Sequence, residues 1–520
     1  MNESFQLYDT TLRDGAQREG ISYSVADKLL ITKLLDEFGV GYIEGGWPGA
    51  LPKDTEFFEE AKKLQLKNAT LVAFGATCKP YVQADEDPQL DALLASGATV
   101  ITIVAKSDVM HVKEALKVDL DENLRMVKES VEYLVKNRRR VFVDCEHFFD
   151  GFLRDPQYGI ELLTVAESAG AEVGVLCDTN GGSLPSYISR VTESVVRELN
   201  MRVGIHAQDD TSCAVANTIA AVEAGATHAQ CTANGYGERT GNADLFAVTA
   251  NLQTKLGIEV LSPEQLQESV RVSHAIAEIA NLAPNSHQAY VGTSAFAHKA
   301  GLHASALRVK SEMYNHIDPR VVGNDQRILV TEMAGRASIE LKSLEIGYSL
   351  KKEQISDLVQ IVKSREAAGW TYEAADASFE LLILEVLERK PEFFSIRNWK
   401  VSMEGNDARV ETVAELEIES LTRRVSVTGS GNGPVNAIDV AIRKGLEHLL
   451  GTVAEIQLVD YKVRILEGVE GTDAITRVMM LSKNENMEWT TIGVHENIVE
   501  ASLMAMLDAI NFGLLAMERK

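Results

Sequence analysis

A polar cluster directly behind a short apolar run is the most informative feature of this sequence. Residues 5–8 predict a β-strand, and Arg13 and Asp14 follow its carboxyl end within the motif 9–15. A carboxylate beside a guanidinium at such a place can hold a cation with one group and an anionic substrate oxygen with the other. A structural ion pair at the rim of the fold is the alternative, because such networks are common in proteins.

Similar polar segments follow later apolar runs. This recurrence favours a binding or catalytic site at Arg13 and Asp14 over an isolated structural ion pair. These segments are 144–151, 177–182, 204–210 and 234–242. Residues two apart on a strand face the same side, so His206 and Gln208 should point the same way. With Asp14 and the amide oxygen of Asn242 or Gln208, His206 would form a mixed oxygen and nitrogen site for a divalent ion. Without such neighbours, a histidine would more often be a packed core residue.

The glycine-rich stretches of the chain do not predict a dinucleotide site. Gly235, Gly237 and Gly241 follow the last predicted strand of the first half, whereas a dinucleotide fingerprint must follow the first strand of a βαβ unit. We expect a tight active-site loop there instead. Residues 45–49 predict a rigid turn near the same end of the fold.

Eight strand–helix units should position these groups. Strands are predicted at 5–8, 42–44, 70–74, 100–104, 141–144, 172–177, 202–205 and 228–232, with helices between them that include 25–38, 120–136, 158–169 and 214–223. Eight such units in about 250 residues are typical of a (β/α)₈ TIM barrel, an α/β fold whose functional groups gather at the carboxyl ends of the strands. A doubly wound open sheet is the runner-up, although it usually stops at about five to seven strands. The predicted strand ends carry Asp14, Glu44, Glu146, Thr179, His206 and Asn234.

The strand–helix alternation ends after residue 256. A long helix is predicted at 263–280, then an irregular stretch at 284–301 and mainly helical structure to about residue 389. Strands at 399–404, 409–418 and 422–429 precede a helix at 435–449, and the order repeats with 456–467, 474–482, 487–493 and a helix at 497–517. Two successive βββα halves imply a small domain with internal pseudo-symmetry. We expect a TIM-barrel catalytic domain at 1–275, a linker with helical subdomains at 276–393, and a C-terminal βββα-repeat regulatory or dimerisation domain at 394–520.

Composition limits the possible functions. The 520 residues carry a formal net charge of -25, which argues against binding to nucleic acid or an anionic membrane, since both require a basic surface. Five scattered cysteines without metal-finger spacing suit a reducing cytosol. The first residues lack the pattern of a signal peptide, and no apolar span is expected to be long enough to cross a bilayer. We expect a cytoplasmic protein.

Several of these motifs together match one known family. The chain resembles, over nearly its whole length, the metal-dependent acyl-CoA condensing enzymes that include isopropylmalate, homocitrate and citramalate synthases. The resemblance rests on segments 9–15, 235–242 and 296–303. Segments 42–49 and 146–151 are similar to the citramalate synthase branch in particular.

The resemblance implies roles for individual residues. Asp14 and His206 should ligate the metal, with Asn242 and Gln208 in or near the same shell. Arg13 should stabilise the keto oxygen of the substrate as it becomes an alkoxide. The resemblance also implies that Glu44, Glu146 and Thr179 bind the 2-oxo acid, and that His303 and Tyr314, delivered from the subdomain region of a partner chain, assist catalysis. The catalytic base stays open among His303, Glu146 and a metal-bound water.

One departure from the family pattern concerns the seventh strand. The pattern there is His-x-His, whereas this chain has Gln208 two residues after His206, and Asp209 where asparagine is usual. Glutamine offers only a neutral carbonyl oxygen, a poorer ligand than imidazole for Zn²⁺ or Mn²⁺. Either the ion is bound more weakly with a preference for Mg²⁺, or Asp209 or a water fills the gap. A catalytically impaired, ligand-sensing paralogue is the remaining alternative.

The resemblance implies an acyltransferase that converts the acyl group into an alkyl group on transfer. Acetyl-CoA, the co-substrate, would condense with pyruvate to give (R)-citramalate and CoA on a route to 2-oxobutanoate and isoleucine. Isopropylmalate or homocitrate synthesis from a larger 2-oxo acid is the alternative, because one or two methylenes in an apolar pocket are worth only about 1–3 kcal/mol. The resemblance further implies a divalent metal ion (Mg²⁺ or Mn²⁺, with Zn²⁺ as a third option), a homodimer, and isoleucine as an effector of the C-terminal domain.

Overall fold

The chain divides into two compact units. A computed structural model describes residues 5–307, 309–331, 334–406, 409–420, 423–450, 456–466 and 474–519. The first unit is Met1–Phe296 with Ile317–Asp325, and the second is Ala297–His316 with Gln326–Lys520. The three-domain boundaries at residues 275 and 393 stay a prediction.

The first unit is built around a closed barrel of eight parallel strands. Each strand pairs with the next, and the eighth pairs with the first. The strands are β1 Gln6–Asp9, β2 Tyr42–Gly46, β3 Thr70–Ala76, β4 Val100–Lys106, β5 Arg140–Glu146, β6 Val173–Asp178, β7 Arg202–Ala207 and β8 His228–Cys231. All eight predicted strands are therefore confirmed with small differences at their ends, and barrel closure excludes the open sheet.

Helices cover the outside of the barrel and their buried faces pack against it. They are Val25–Phe38, Pro52–Ala61, Pro88–Ala95, Leu120–Lys136, Phe148–Arg154, Pro156–Ala169, Pro185–Glu198, Ala214–Glu223 and Leu245–Thr254. The first shows why its ends lie where they do: Ser24 and Asp27 form a reciprocal capping box, and Gly39 ends the helix with a φ of 98°. Its buried residues Ile31 and Leu35 recur four residues apart, on the face toward the core.

The single long helix predicted at 263–280 is wrong. Two helices, Pro263–Gln267 and Ser269–Ile279, occupy this stretch, and Glu268 between them has a ψ of 0°. The hydroxyl of Ser269 donates to the carbonyl of Leu266 at 2.5 Å, a local bond that competes with regular helix geometry. The apolar spacing alone does not reveal this break.

The second unit begins with short elements. Ala297–His298 pairs in parallel with Arg327–Ile328, so a two-residue strand lies inside the stretch predicted to be irregular. Helices follow at Gly301–Leu307, Arg336–Glu345, Lys352–Ala367 and Asp376–Val386, as the predicted helical region requires.

The predicted βββα repeat of the C-terminal region is confirmed. Strands Ser395–Asn406, Arg409–Glu419 and Arg424–Gly431 form an antiparallel sheet before the helix Pro434–Leu450, and strands Gln457–Ile465, Thr476–Lys483 and Glu488–His495 form a second one before Ile498–Glu518. Thr422 and Glu467, the ends of two predicted strands, lie outside the described residues. Alternating apolar residues thus predict both sheets correctly.

The last helix corrects one expectation. Ile498–Glu518 has a window mean hydropathy of 1.6 and passes a length and composition test for a membrane span, contrary to the prediction that no such span exists. However, 61% of that window is buried inside the structure. Trp489 Nε1 donates to the carbonyl of Ala509 at 3.0 Å, and Thr491 Oγ1 to that of Ala505 at 2.7 Å. The helix is packed as a core helix of this domain.

Candidate active site

A buried carboxylate below Arg13 orients the guanidinium. Glu44, near the end of β2, is 0% exposed and accepts hydrogen bonds from Arg13 Nε, from Tyr8 Oη and from Thr10 Oγ1, the last at 2.7 Å. The guanidinium carbon of Arg13 lies 4.0 Å from the ring centroid of Phe74. A buried charge pair with such partners keeps the guanidinium in one place, and only two of its five N–H groups are needed by Glu44 and Asp14.

Asp14 is the point where four polar side chains meet. Its carboxylate accepts from Arg13 Nη1 at 3.0 Å and from Asn242 Nδ2 at 3.0 Å, and Oδ2 lies 3.6 Å from His206 Nε2. Burial by itself would raise the pKa of Asp14, but Arg13, His206 and the amides of Asn242 and Gln208 outweigh it and lower that pKa. Asp14 is therefore an ionised acceptor in a site otherwise shielded from water.

Two amide side chains complete this group. Gln208 and Asn242 are joined by an isolated antiparallel β-bridge, which brings the loop after β7 beside the loop after β8. Gln208 Oε1 and Asn242 Oδ1 are buried, and neither has a hydrogen-bond partner among the described residues. Gly237 makes the close approach possible: at its φ of 155°, a Cβ atom would lie 2.2 Å from Asn242 Nδ2.

Asp209 is not part of this group. Its Oδ1 accepts from the backbone N–H of Ala214 at 2.8 Å, at the start of the helix Ala214–Glu223. In the described part of the chain, no cluster of three or more His, Cys, Asp or Glu side chains could hold a metal ion. A cation at Asp14 and His206 would therefore depend on the two amides, and Asp209 is not positioned to replace the missing imidazole.

Two buried residues behind His206 were not assigned roles from the sequence. His206 Nδ1 lies 2.8 Å from Gln230 Oε1, and Gln230 Nε2 donates to Asp144 Oδ1 at 2.8 Å. Burial, together with the nearby charge of Glu44, raises the pKa of Asp144. Alternation along β5 and β8 could have marked both as inward-facing polar residues, but nothing in the sequence pairs them.

Glu146 ends β5, and Thr179 directly follows the neighbouring strand β6. Glu146 forms an ion pair with Lys106. Lys106 is the last residue of β4, and this place at a strand end could have marked it as a candidate site residue in the sequence. Thr179 Oγ1 accepts from the backbone N–H of His147 at 2.8 Å. The rings of His147 and His111 stack with centroids 3.9 Å apart. Burial lowers the pKa of His147, and the neighbouring His111 lowers it further.

The turn at 45–49 is held by a buried ion pair. Lys28 Nζ pairs with Asp54 and also donates to the carbonyl of Gly45 at 3.0 Å, while Asp54 accepts from the backbone N–H of Trp47 at 2.8 Å. The indole of Trp47 lies edge-on to Phe74, with ring centroids 5.4 Å apart. The predicted rigid turn is thus present, and it supports the aromatic ring below Arg13.

His303 and Tyr314 belong to the second unit. Their rings stack with centroids 4.0 Å apart, and the ring of His298 lies 6.0 Å from that of His303. His298 Nε2 is 2.8 Å from Asn315 Oδ1. The structure thus brings the two residues together with each other, while their delivery to a barrel, from this chain or a partner, stays a prediction.

Three family models match the chain in succession. HMGL-like covers residues 4–282, Homocitrate synthase post-HMGL domain-like covers 290–369, and LeuA allosteric (dimerisation) domain covers 373–514. The fold and the strand-end site therefore define an HMGL-like TIM-barrel enzyme that carries a LeuA-type C-terminal domain.

Relatives identify the family more narrowly. The (R)-citramalate synthase of Streptomyces coelicolor is 55% identical, covering 99% of this chain and 97% of that protein, and that of Synechocystis sp. is 44% identical, covering 98% and 96%. The 2-isopropylmalate synthase of Methanocaldococcus jannaschii is 30% identical, covering 97% and 94%. The chain belongs to the (R)-citramalate synthase family.

Proposed function

We propose that this chain condenses acetyl-CoA with pyruvate to give (R)-citramalate and CoA. The observation that carries the proposal is the arrangement of Arg13, Asp14 and His206 at the carboxyl ends of barrel strands, with Arg13 and Asp14 in direct contact. The similarity to several citramalate synthases over nearly the whole chain supports the same substrates. Arg13, Asp14 and His206 all lie in the first unit.

The residues present fit a divalent cation. Asp14 provides a carboxylate, His206 an imidazole nitrogen, and Gln208 and Asn242 each provide a buried amide oxygen without a hydrogen-bond partner among the described residues. Rotation of an amide about its terminal bond exchanges nitrogen for oxygen beside Asp14 without moving the backbone. Three oxygen donors and one nitrogen suit Mg²⁺ or Mn²⁺ better than Zn²⁺.

A bound cation would act as a Lewis acid on the keto group of pyruvate. Arg13 donates N–H groups toward the keto oxygen, which gains negative charge as the new carbon–carbon bond forms at the keto carbon. Glu44 keeps the guanidinium in position through its bond to Arg13 Nε, so the donors are oriented before the reaction. We assign Glu44 this positioning role, and its direct contact with substrate stays a prediction.

Proton transfer from the acetyl methyl group needs a base. Glu146, which forms an ion pair with Lys106, is the candidate within the barrel. Thr179, whose hydroxyl accepts from the backbone N–H of His147, would contact the 2-oxo acid. His303 and Tyr314 are the candidates of the second unit for this step or for activating the water that cleaves the thioester.

Assembly and regulation follow from the C-terminal domain. The match to a LeuA allosteric (dimerisation) domain supports a homodimer and an effector site in residues 373–514. We propose isoleucine as that effector, since (R)-citramalate lies on a route to 2-oxobutanoate and isoleucine. Four of the described cysteines are buried and form no disulfides. A biosynthetic enzyme with this substrate and with reduced cysteines fits the cytoplasm.

Substrate preference provides the direct test. Purified full-length protein with acetyl-CoA, pyruvate and Mg²⁺ or Mn²⁺ should release free thiol and form (R)-citramalate, identified by chiral chromatography. We expect kcat/KM with pyruvate to exceed that with 2-oxoisovalerate by about 10–200-fold, the range typical of a small apolar difference. It should also exceed kcat/KM with 2-oxoglutarate, which adds a charged carboxylate. Acetyl-CoA without a 2-oxo acid is the control for simple hydrolysis. Preference for a larger acid, or no thiol release with any metal, contradicts the proposal.

A Gln208→His substitution separates an active enzyme from a ligand-sensing paralogue. We expect the unmodified protein to be active, and the substitution to raise affinity for Zn²⁺ by about tenfold or more because imidazole replaces a neutral carbonyl oxygen. Gln208→Asn, which keeps the amide, should show no such gain in metal titrations. An inactive wild type rescued by Gln208→His would instead support the sensing alternative.

A further inference from the structure

A continuous hydrogen-bond path crosses the barrel interior and ends on His206. His206 Nδ1 lies 2.8 Å from Gln230 Oε1, and Gln230 Nε2 donates to Asp144 Oδ1 at 2.8 Å. Gln230 is 1% exposed and Asp144 is 3% exposed, so water does not compete for these bonds. The proposed reaction gives neither residue a role.

The strand register explains why these three side chains meet. His206 on β7 and Gln230 on β8 are Cα partners on adjacent strands, so both side chains project to the same face. Asp144 is on β5, which pairs with β4 and β6 rather than with β8. Its bond to Gln230 therefore spans the interior of the closed barrel.

Asp144, the last group of the path, determines which end of the Gln230 amide faces His206. A carboxylate only accepts, so Asp144 takes the amide nitrogen of Gln230 and leaves the amide oxygen facing His206. If Asp144 is protonated, this orientation of the amide is kept when the proton is on Oδ2, because Oδ1, the atom 2.8 Å from Gln230 Nε2, then stays an acceptor. An imidazole nitrogen within hydrogen-bond distance of an oxygen acceptor carries the ring proton. Nδ1 of His206 meets this condition at 2.8 Å from Gln230 Oε1, whereas Nε2 lies 3.6 Å from Asp14 Oδ2 and does not.

The other ring nitrogen faces the candidate cation site. Nε2 of His206 lies 3.6 Å from Asp14 Oδ2, and it keeps a lone pair only while Nδ1 carries the proton. If the amide of Gln230 turned over, its NH₂ group would face Nδ1 and the proton would move to Nε2. Such a histidine could not ligate a cation beside Asp14.

We propose that Gln230 and Asp144 are positioning residues that select the Nδ1–H tautomer of His206 and so keep Nε2 available to a divalent cation. The part that concerns the cation rests on the proposed function, whereas tautomer selection is a property of the metal-free chain. Outer-shell partners of this kind typically change metal affinity by about 10–100-fold when they are removed.

Three substitutions in the full-length protein test the path. Gln230→Leu removes the hydrogen-bond path. Asp144→Asn keeps the path but allows either orientation of the Gln230 amide, because an amide can donate as well as accept. Gln230→Glu keeps an oxygen acceptor toward His206. The matched control is Gln6→Leu, since Gln6 Oε1 lies 3.0 Å from Nδ1 of His228, another buried histidine of the same barrel.

Two measurements are made on each variant. Calorimetric titration with Mn²⁺ should show a Kd raised by about 10–100-fold in Gln230→Leu and raised, to a smaller extent, in Asp144→Asn, with little change in Gln230→Glu and Gln6→Leu. Nitrogen-15 spectra of histidine-labelled, metal-free protein report the tautomer, and the His206 signals are those absent from His206→Gln. We expect Nδ1–H in the wild type and a population of Nε2–H in Gln230→Leu and Asp144→Asn.

The outcomes separate this proposal from the proposed function. An unchanged tautomer in both Gln230→Leu and Asp144→Asn overturns tautomer selection, whatever the Mn²⁺ affinities are. An equal loss of Mn²⁺ affinity in Gln6→Leu overturns it as well, because general damage to the barrel would explain both losses. A wild type that binds no Mn²⁺ but shows the expected tautomers supports tautomer selection and contradicts the cation site.

Discussion

Replacing Arg13 by lysine should lower kcat by about 10²–10³-fold, the usual cost of losing an oriented donor to a developing oxyanion. The guanidinium lies 4.0 Å from the Phe74 ring and binds Glu44 and Asp14 through different nitrogens. A lysine ammonium keeps the positive charge but has neither the planar fork nor the reach to serve both carboxylates and the substrate together. The loss should therefore fall mainly on kcat rather than on KM for pyruvate.

Lysine is preferred to alanine in this test for a structural reason. Removing the charge would leave the buried Glu44 carboxylate without its charged partner, which typically costs about 3–5 kcal/mol of stability and would obscure the catalytic effect. Arg190→Lys is the matched control, because Arg190 also lies over an aromatic ring, that of Tyr187 at 5.9 Å, but is exposed. A kcat of Arg13→Lys within about threefold of the wild type would show that Arg13 does not stabilise the transition state.

Replacing Asp14 by asparagine should remove cation binding and, with it, the condensation. Asp14 supplies the only formal negative charge among the four candidate ligands Asp14, His206, Gln208 and Asn242. Its pKa is lowered despite burial, so the carboxylate is ionised at neutral pH. We expect Mn²⁺ affinity to fall by more than the roughly 10–100-fold typical of outer-shell changes. Calorimetric titration of the metal-free protein measures this directly.

Asp209→Asn is the control for the Asp14 substitution. Asp209 comes directly after Gln208, behind the strand that carries His206. Its carboxylate nevertheless accepts from the backbone N–H of Ala214. Asparagine can accept that same bond, so Mn²⁺ affinity and activity should be close to those of the wild type. If Asp209→Asn loses affinity as Asp14→Asn does, Asp209 is a ligand after all and the donor set proposed above is wrong.

Local sequence patterns predicted a large part of this fold. Eight apolar runs separated by amphipathic stretches predicted every barrel strand, since strand and helix periodicities are properties of neighbouring residues. The alternation in the C-terminal region predicted both three-stranded sheets for the same reason. The break at Glu268 was missed because the apolar spacing continues through it, although the helix is divided there and Ser269 Oγ donates to the carbonyl of Leu266.

The sequence by itself determined which strand ends carry polar groups, and so identified Arg13, Asp14, His206 and Asn242 as candidates. Tertiary structure alone decided which side chains touch: Asp14 and Asn242 are 228 positions apart, and Asp144 meets Gln230 only across the closed barrel. The physical reason is that pairing across the interior depends on barrel closure and register, which are sums of many weak long-range contacts. For that reason the contacts of Lys106 with Glu146, of Gln230 with His206 and of Glu44 with Arg13 became visible only in the folded chain.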